Sequence, residues 1–153
     1  MASSTYHTIA VQGAAVRGEA LAHAAITPGH LLAIDTDEEV LAHATADGAH
    51  LGPLVALESP TAAAGLTAAI NKAYAAGDTV YYAVGQPGDV FYMWLTTANN
   101  AVKGISPLVS TGDGALKVAT LGAGTLEGAI VGVPAEDNNN TSGSNARLLV
   151  RIV

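Results

Sequence analysis

Five histidines, His7, His23, His30, His43 and His50, are the side chains best placed to do chemistry near neutral pH, because imidazole both titrates there and ligates metals. Their spacing fits neither a His-Glu-x-x-His helix nor a His-x-His strand pair, and none has an acidic neighbour in a ligand pattern. They read as solvent-facing or turn histidines. The chain has no cysteine, which removes thiolate chemistry, disulfides and cysteine-based zinc sites. Gly122, Gly124 and Gly128 are wrongly spaced for a dinucleotide loop, with no helix after them and no P-loop lysine, so they read as turn glycines. There is no Gly-x-Ser-x-Gly elbow. Asp78 and Asp89 each follow a glycine at a strand entrance, where a carboxylate can hold turn amides. That role is favoured over a hydrolase pairing either aspartate with a histidine. The acid pairs Glu38/Glu39 and Glu136/Asp137 fall in loops and read as solvated charge. The overlapping glycosylation sequons at Asn139 and Asn140 carry little weight without a secretory signal. No catalytic residue, no metal and no cofactor are therefore expected.

The elements around these residues are organised about Ala76–Leu95, which holds five of the seven aromatic residues. Val80, Tyr82 and Val84 share one face of an extended strand, and Tyr81 and Ala83 the other. Gln86-Pro87-Gly88-Asp89 has the proline and glycine of a type II turn. Val90–Leu95 is apolar at every position, so both faces need cover, either from the rest of the domain or from another subunit. The stretch is expected to form a central β-hairpin.

Around it the pattern is β with turns. Strands are expected at Leu31–Ile34, Val40–Ala44 and Leu54–Leu57, with an acidic loop at Asp35–Glu39 and a turn at Asp47-Gly48. Leu66–Ala75 carries Leu66, Ile70 and Tyr74 at four-residue spacing and is the one helix candidate, with Gly77 as its C-cap. Thr96–Asn100 reads as a polar connector. Val102–Val109 and Leu116–Ala119 flank the turn at Thr111–Gly114, loosely echoing the earlier strand-turn-strand unit. Leu126–Val133 is β-like, and Glu136–Asn145 reads as a polar loop. The terminal run Arg147–Val153 sets Leu148, Val150 and Ile152 on one face, as expected of a strand tied into a sheet.

Length and composition set the scale. With 153 residues, one domain is expected: a leader, residues 1–16, before a single β-rich body, residues 17–153. The leader has no charged residue among its first 16 positions and too little apolar bulk for its own core. It is a mobile arm or an edge strand: either a disordered tail, or a segment that orders by adding a strand to a partner. Only 12% of residues are charged, against ~25% in a typical domain, a composition suited to repeated assembly. The net charge of −7 disfavours nucleic acid as a partner. No apolar run reaches the roughly 20 residues of a membrane span, and no basic-then-apolar leader marks a secretory signal.

Three phrases, Pro28-Gly29-His30-Leu31-Leu32, Tyr74–Val80 and Gln86–Leu95, resemble in this order the capsid decoration (cement) proteins of tailed bacteriophages, over roughly Ile26–Val118. The resemblance implies a mainly β, barrel-like or β-tulip-type body of short antiparallel strands with one short helix and an extended N-terminal arm. It implies a non-enzymatic homotrimer on the outer surface of the virion capsid, clamping neighbouring major capsid subunits. On this reading Tyr6, His7, Thr8, Ile9 and Val11 form a capsid-binding arm, and Tyr81, Phe91, Tyr92 and Trp94 are candidates for the oligomer interface. The partners are the major capsid protein and further copies of the chain, with neither nucleic acid nor membrane involved. Glu136–Asn145 finds no counterpart. The alternative is a small-ligand or carbohydrate-binding β domain that stacks its ligand on exposed Tyr81, Tyr92 or Trp94.

Overall fold

The computed structural model describes residues 6–50, 52–60, 66–120 and 127–153. Residues 1–5 of the leader, Gly122, Gly124 and Leu126 lie outside the described residues.

Among the described residues the chain is mainly β with one short α-helix, as the sequence predicts. Its strands are β1 (Ala10–Gln12), β2 (Val16–Leu21), β3 (Leu31–Ile34), β4 (Val40–Ala42), β5 (Leu54–Ala56), β6 (Thr79–Val84), β7 (Val90–Leu95), β8 (Asn99–Ala101), β9 (Leu108–Ser110), β10 (Leu116–Val118), β11 (Gly132–Pro134), β12 (Asn138–Asn140) and β13 (Ala146–Ile152). The first sheet runs β2-β6-β5-β3-β4. Its two ends approach through a bridge between Ala22 and Val40, where the His23 amide donates to the Val40 carbonyl at 2.9 Å. The second sheet runs β7-β10-β9-β11-β13, and β13 pairs back onto β7 to close a five-stranded barrel. β1 is added outside that ring, antiparallel to β7.

The expected central hairpin is replaced by a crossover. The turn itself forms: the Asp89 amide donates to the Gln86 carbonyl at 3.0 Å, and Gly88 supplies the positive φ of 97°. Yet β6 pairs with β2 and β5, whereas β7 pairs with β13, β1 and β10. The reason lies in β7's composition. A strand apolar on both faces is stable only with cover on each side, and β13 offers a six-residue register, Ala146–Arg151 against Leu95–Val90. β6 instead forms a wall between two cores. Val80 faces a cluster with Ile26, Leu32, Val40 and Tyr74, and Ala83 faces the larger cluster with Leu31, Val55, Phe91 and Leu148.

Several further expectations are corrected. The helix, α1, spans only Leu66–Asn71. Tyr74 lies beyond it, in a bridge with Ile26, and its hydroxyl donates to the Leu57 carbonyl at 2.9 Å. So short a helix gains little from propensity, and the bridge decides where it ends. Val102–Val109 is a strand only from Leu108. Its first part is a loop in which the Val102 amide donates to Ser106 Oγ at 3.0 Å. Leu126–Val133 divides into a 3-10 turn at Glu127–Ala129 and the start of β11. Strand β2, which the sequence reading assigned to no element, survives on a sparse apolar pattern because it pairs over six residues with β6. Gly18 leaves room for the end of the Tyr82 side chain, which a Cβ there would meet at 2.5 Å and displace. The C-terminal strand buries Leu148, Val150 and Ile152, as its alternation predicts.

Glu136–Asn145 is not a core-free polar loop. Asn138–Asn140 pairs with Asn99–Ala101, which begins within the expected connector Thr96–Asn100, to form a two-stranded sheet. Asn140 is buried, and its amide nitrogen faces the carbonyls of Leu95, Thr96 and Ser144 at 3.1–3.3 Å. Ser142 donates to its Oδ1 at 2.6 Å. Converting Asn140 to Asp would aim a carboxylate at those carbonyls. It is expected to cost about 1–3 kcal/mol, measured as a lowered urea midpoint with unchanged slope.

Candidate functional site

The leader is an edge strand over Ala10–Gln12, and residues 6–9 lead into it along the same barrel. Glu58, just past β5, holds it with both carboxylate oxygens: Thr8 Oγ1 donates at 2.6 Å and the Ile9 amide at 3.0 Å. The Ile9 side chain is fully buried in the large core, and the Tyr92 amide donates to the Ile9 carbonyl at 2.8 Å. Tyr6 meets Tyr92 edge to face, with ring centroids 5.3 Å apart. Ala10 and Gln12 then pair with Phe91 and Val90. Of the expected arm residues, Ile9 belongs to this chain's own core, Tyr6, Thr8 and Val11 are partly buried, and His7 is exposed. The leader ends in β2, which begins at Val16.

Asp89 locks the point where leader and turn meet. Its Oδ1 accepts from the Ala14 amide at 3.2 Å and its Oδ2 from the Gln86 amide at 2.9 Å. Asp78 Oδ2 accepts from the Ala75 amide at 2.8 Å. Both aspartates hold turn amides, as their positions after glycines predict.

Two of the four aromatic residues expected at an oligomer interface are covered within the chain itself: Phe91 is fully buried and Tyr92 is 8% exposed. Trp94 is half-buried, and its indole N–H donates to the Pro28 carbonyl at 3.0 Å. Its ring lies 4.2 Å from the guanidinium carbon of Arg147, which is also 5.8 Å from the Tyr92 ring. Tyr81 remains partly exposed on β6.

Arg147 is the member of this group that sequence reasoning missed; on the strand face opposite Leu148, Val150 and Ile152, it is only 8% exposed. Its Nη1 donates to Asn71 Oδ1 at 2.9 Å, and its Nη2 donates to the carbonyls of Pro28, at 2.9 Å, and Ile70. It thereby ties β13 of the closed barrel to the β2–β3 connection and to α1. Burial holds its pKa below the ordinary arginine value.

The histidines separate by environment. His43 is buried rather than solvent-facing, with Nδ1 2.8 Å from Ser110 Oγ and Nε2 3.4 Å from the Ala49 carbonyl. His50 donates from Nε2 to the Ile130 carbonyl at 3.2 Å. Together with Leu32, Ile34, Leu54 and Val84 these two line a cleft of about 390 Å³. His23 is brought to Asp35 and Glu39, a meeting that no local motif announces.

Burial lowers the pKa of both His30 and His50, and in each case outweighs the opposing influences, the Asp113 charge on His30 and the Ile130 carbonyl on His50. The unfolded chain therefore binds protons first. The stability contributed by these groups is complete above their unfolded pKa of about 6.5 and is lost as pH falls through the window down to the depressed folded values. The urea midpoint is expected to fall between about pH 7.5 and 5. The double variant H30Q/H50Q should flatten that slope.

No family model matches the chain, and no curated protein matches it in sequence. Among solved structures it is similar to the N base of head fiber gp8.5 of bacteriophage phi29, with a TM-score of 0.57 and 15% identity over 92% of this chain and 95% of that one. The two share a fold over nearly their whole lengths.

Proposed function

We propose that this protein is a structural, non-enzymatic component of a tailed-phage head that decorates the outer surface of the capsid as a trimer and bridges neighbouring major capsid subunits. The observation that supports this most is the fold held in common, across 92% of the chain, with the base of a phage head fiber. The ordered phrases at Pro28–Leu32, Tyr74–Val80 and Gln86–Leu95 point the same way. The chemistry is compatible: Glu58, Asp78 and Asp89 are engaged with backbone amides, a use that serves rigidity.

In this role β1 is the element offered to the shell. It stands at the end of its sheet, and an edge strand adds readily to a strand of another chain. Contact would run through its outer edge and through His7, Thr8 and Val11, since Ile9 is retained inside. The trimer contact would draw on the exposed parts of Tyr81 and Trp94 and on Ile105, which is 75% exposed at the tip of its loop. Repetition over a lattice then multiplies modest contacts through effective concentration.

Purified protein mixed with heads built from the major capsid protein of its own virus should co-sediment to saturation, and light scattering should give the mass of three chains. A monomer at micromolar concentration would remove the trimer, and absence of saturable head binding would remove the decoration role.

A further inference from the structure

We propose that His23, Asp35 and Glu39 form a binding site for a divalent transition-metal cation of the zinc or manganese class. His23 Nδ1 stands 2.9 Å from Asp35 Oδ2 and 3.0 Å from Glu39 Oε2, and the three donor atoms all lie within 4.8 Å of one another. A ring nitrogen carries either one proton or one lone pair, directed in the ring plane, and cannot serve two carboxylates well at once. A cation with bonds of about 2.1 Å, by contrast, sets neighbouring ligands about 3.0 Å apart at octahedral and about 3.4 Å apart at tetrahedral angles, and both distances from His23 Nδ1 lie close to that range.

The donors are held by backbone hydrogen bonds around them. The His23 amide is tied to the Val40 carbonyl at 2.9 Å, and the Asp35 amide to the Glu39 carbonyl at 2.9 Å. Asp35 Oδ1 accepts from the amides of Asp37 and Glu39 at 2.9 and 3.0 Å, which leaves Oδ2 to face the imidazole.

The distribution of charge is a separate observation, and it leaves the cluster without a lysine or arginine partner. Between Arg17 and Lys72 the sequence has no lysine or arginine but has seven acids, Glu19, Asp35, Asp37, Glu38, Glu39, Asp47 and Glu58. Lys117, arriving from β10 of the closed barrel, is taken by Asp47 at 2.7 Å. No lysine or arginine among the described residues forms an ion pair with Asp35 or Glu39, so two carboxylates converge on a single imidazole without a fixed positive charge. A bound divalent ion supplies that charge without requiring a proton on His23. An imidazole with two carboxylates suits manganese through zinc better than calcium, which prefers an all-oxygen shell. His23 lies beyond β2 and the two acids lie between β3 and β4, so the ion would fasten two connections at one end of the first sheet.

Isothermal titration of the full chain near pH 7.5 with ZnCl2 and MnCl2, and with CaCl2 for comparison, tests the site. One transition-metal ion per chain is expected, accompanied by a raised melting temperature, with affinity at least roughly tenfold weaker in H23Q and in D35N. D37N alters the same loop's charge outside the donor set and should bind as the unaltered chain does. Circular dichroism of each variant confirms that it is folded. Absence of saturable uptake overturns the proposal, as does equal uptake by H23Q and D35N, which would place the ion on other histidines. A loss in D37N as large as in H23Q would also overturn it, by showing a diffuse charge effect.

Discussion

Replacing Arg147 with alanine is expected to lower stability by roughly 3–5 kcal/mol, the range in which buried charged networks that lose a member fall. For a chain of this size that is a drop in melting temperature of about 6–20 °C. Three effects combine. The oxygens of Asn71 and Ile70 lose a charged donor, and the Pro28 carbonyl keeps only the indole of Trp94. The guanidinium no longer covers the Trp94 ring 4.2 Å away. A void opens where β13, the β2–β3 connection and α1 meet. R147K separates charge from shape, because lysine keeps the charge but presents a point donor in place of a planar fork that stacks and bonds in several directions. It is expected to recover less than half of the loss. Trp94 is the chain's one tryptophan, so its emission reports on this junction directly. A red shift in R147A before global unfolding is expected; an unaltered spectrum with unaltered stability would show that the two sheets are joined by other contacts alone.

Ile9→Ala is expected to cost about 2–5 kcal/mol, the usual range for emptying a fully buried isoleucine site. The same change in a detached arm would cost nothing, so the two forms of the leader are separated by a denaturant titration. Glu58→Gln should give a smaller loss, about 1–3 kcal/mol, because the charged acceptor for Thr8 Oγ1 and the Ile9 amide becomes a neutral one. Removing residues 2–11 discards Ile9 and most of β1 together, and the truncated chain is expected to melt lower than either point variant. Loss of head binding in that truncation is therefore informative only at a temperature where the rest of the chain remains folded. H7A, altered at an exposed position, tests the contact without disturbing the core.

How far the site can be read from the sequence varies along the chain. The type II turn at Gln86–Asp89, the acidic loop at Asp35–Glu39 and the holds of Asp78 on Ala75 and of Asp89 on Gln86 were legible, because each joins residues within four positions of one another; the second hold of Asp89, on the Ala14 amide, was not. The need to cover both faces of Val90–Leu95 was legible too, but not the identity of the cover. Only the register of β7 with β13 shows how much of that cover comes from the chain's own barrel. Arg147 gave no signal. An arginine alternating with apolar residues on a strand ordinarily points to water, and its partners lie 76 to 119 residues away. The asparagines at 138–140 read as loop for a related reason, since their strand exists only by pairing with Asn99–Ala101.

The sequence by itself determined the β character, most of the turns, the alternation of the last strand and an uncharged leader that could be arm or edge. These follow from backbone preferences and side-chain alternation, which act over a few residues. The tertiary structure alone decided that the chain crosses from one sheet to another at Gly88, that the leader is spent on β7, and that His23 meets Asp35 and Glu39. Those outcomes depend on which distant edges compete for the same strand and on which faces must be hidden together. That competition is settled by the burial of the whole core, and no window of neighbouring residues contains it.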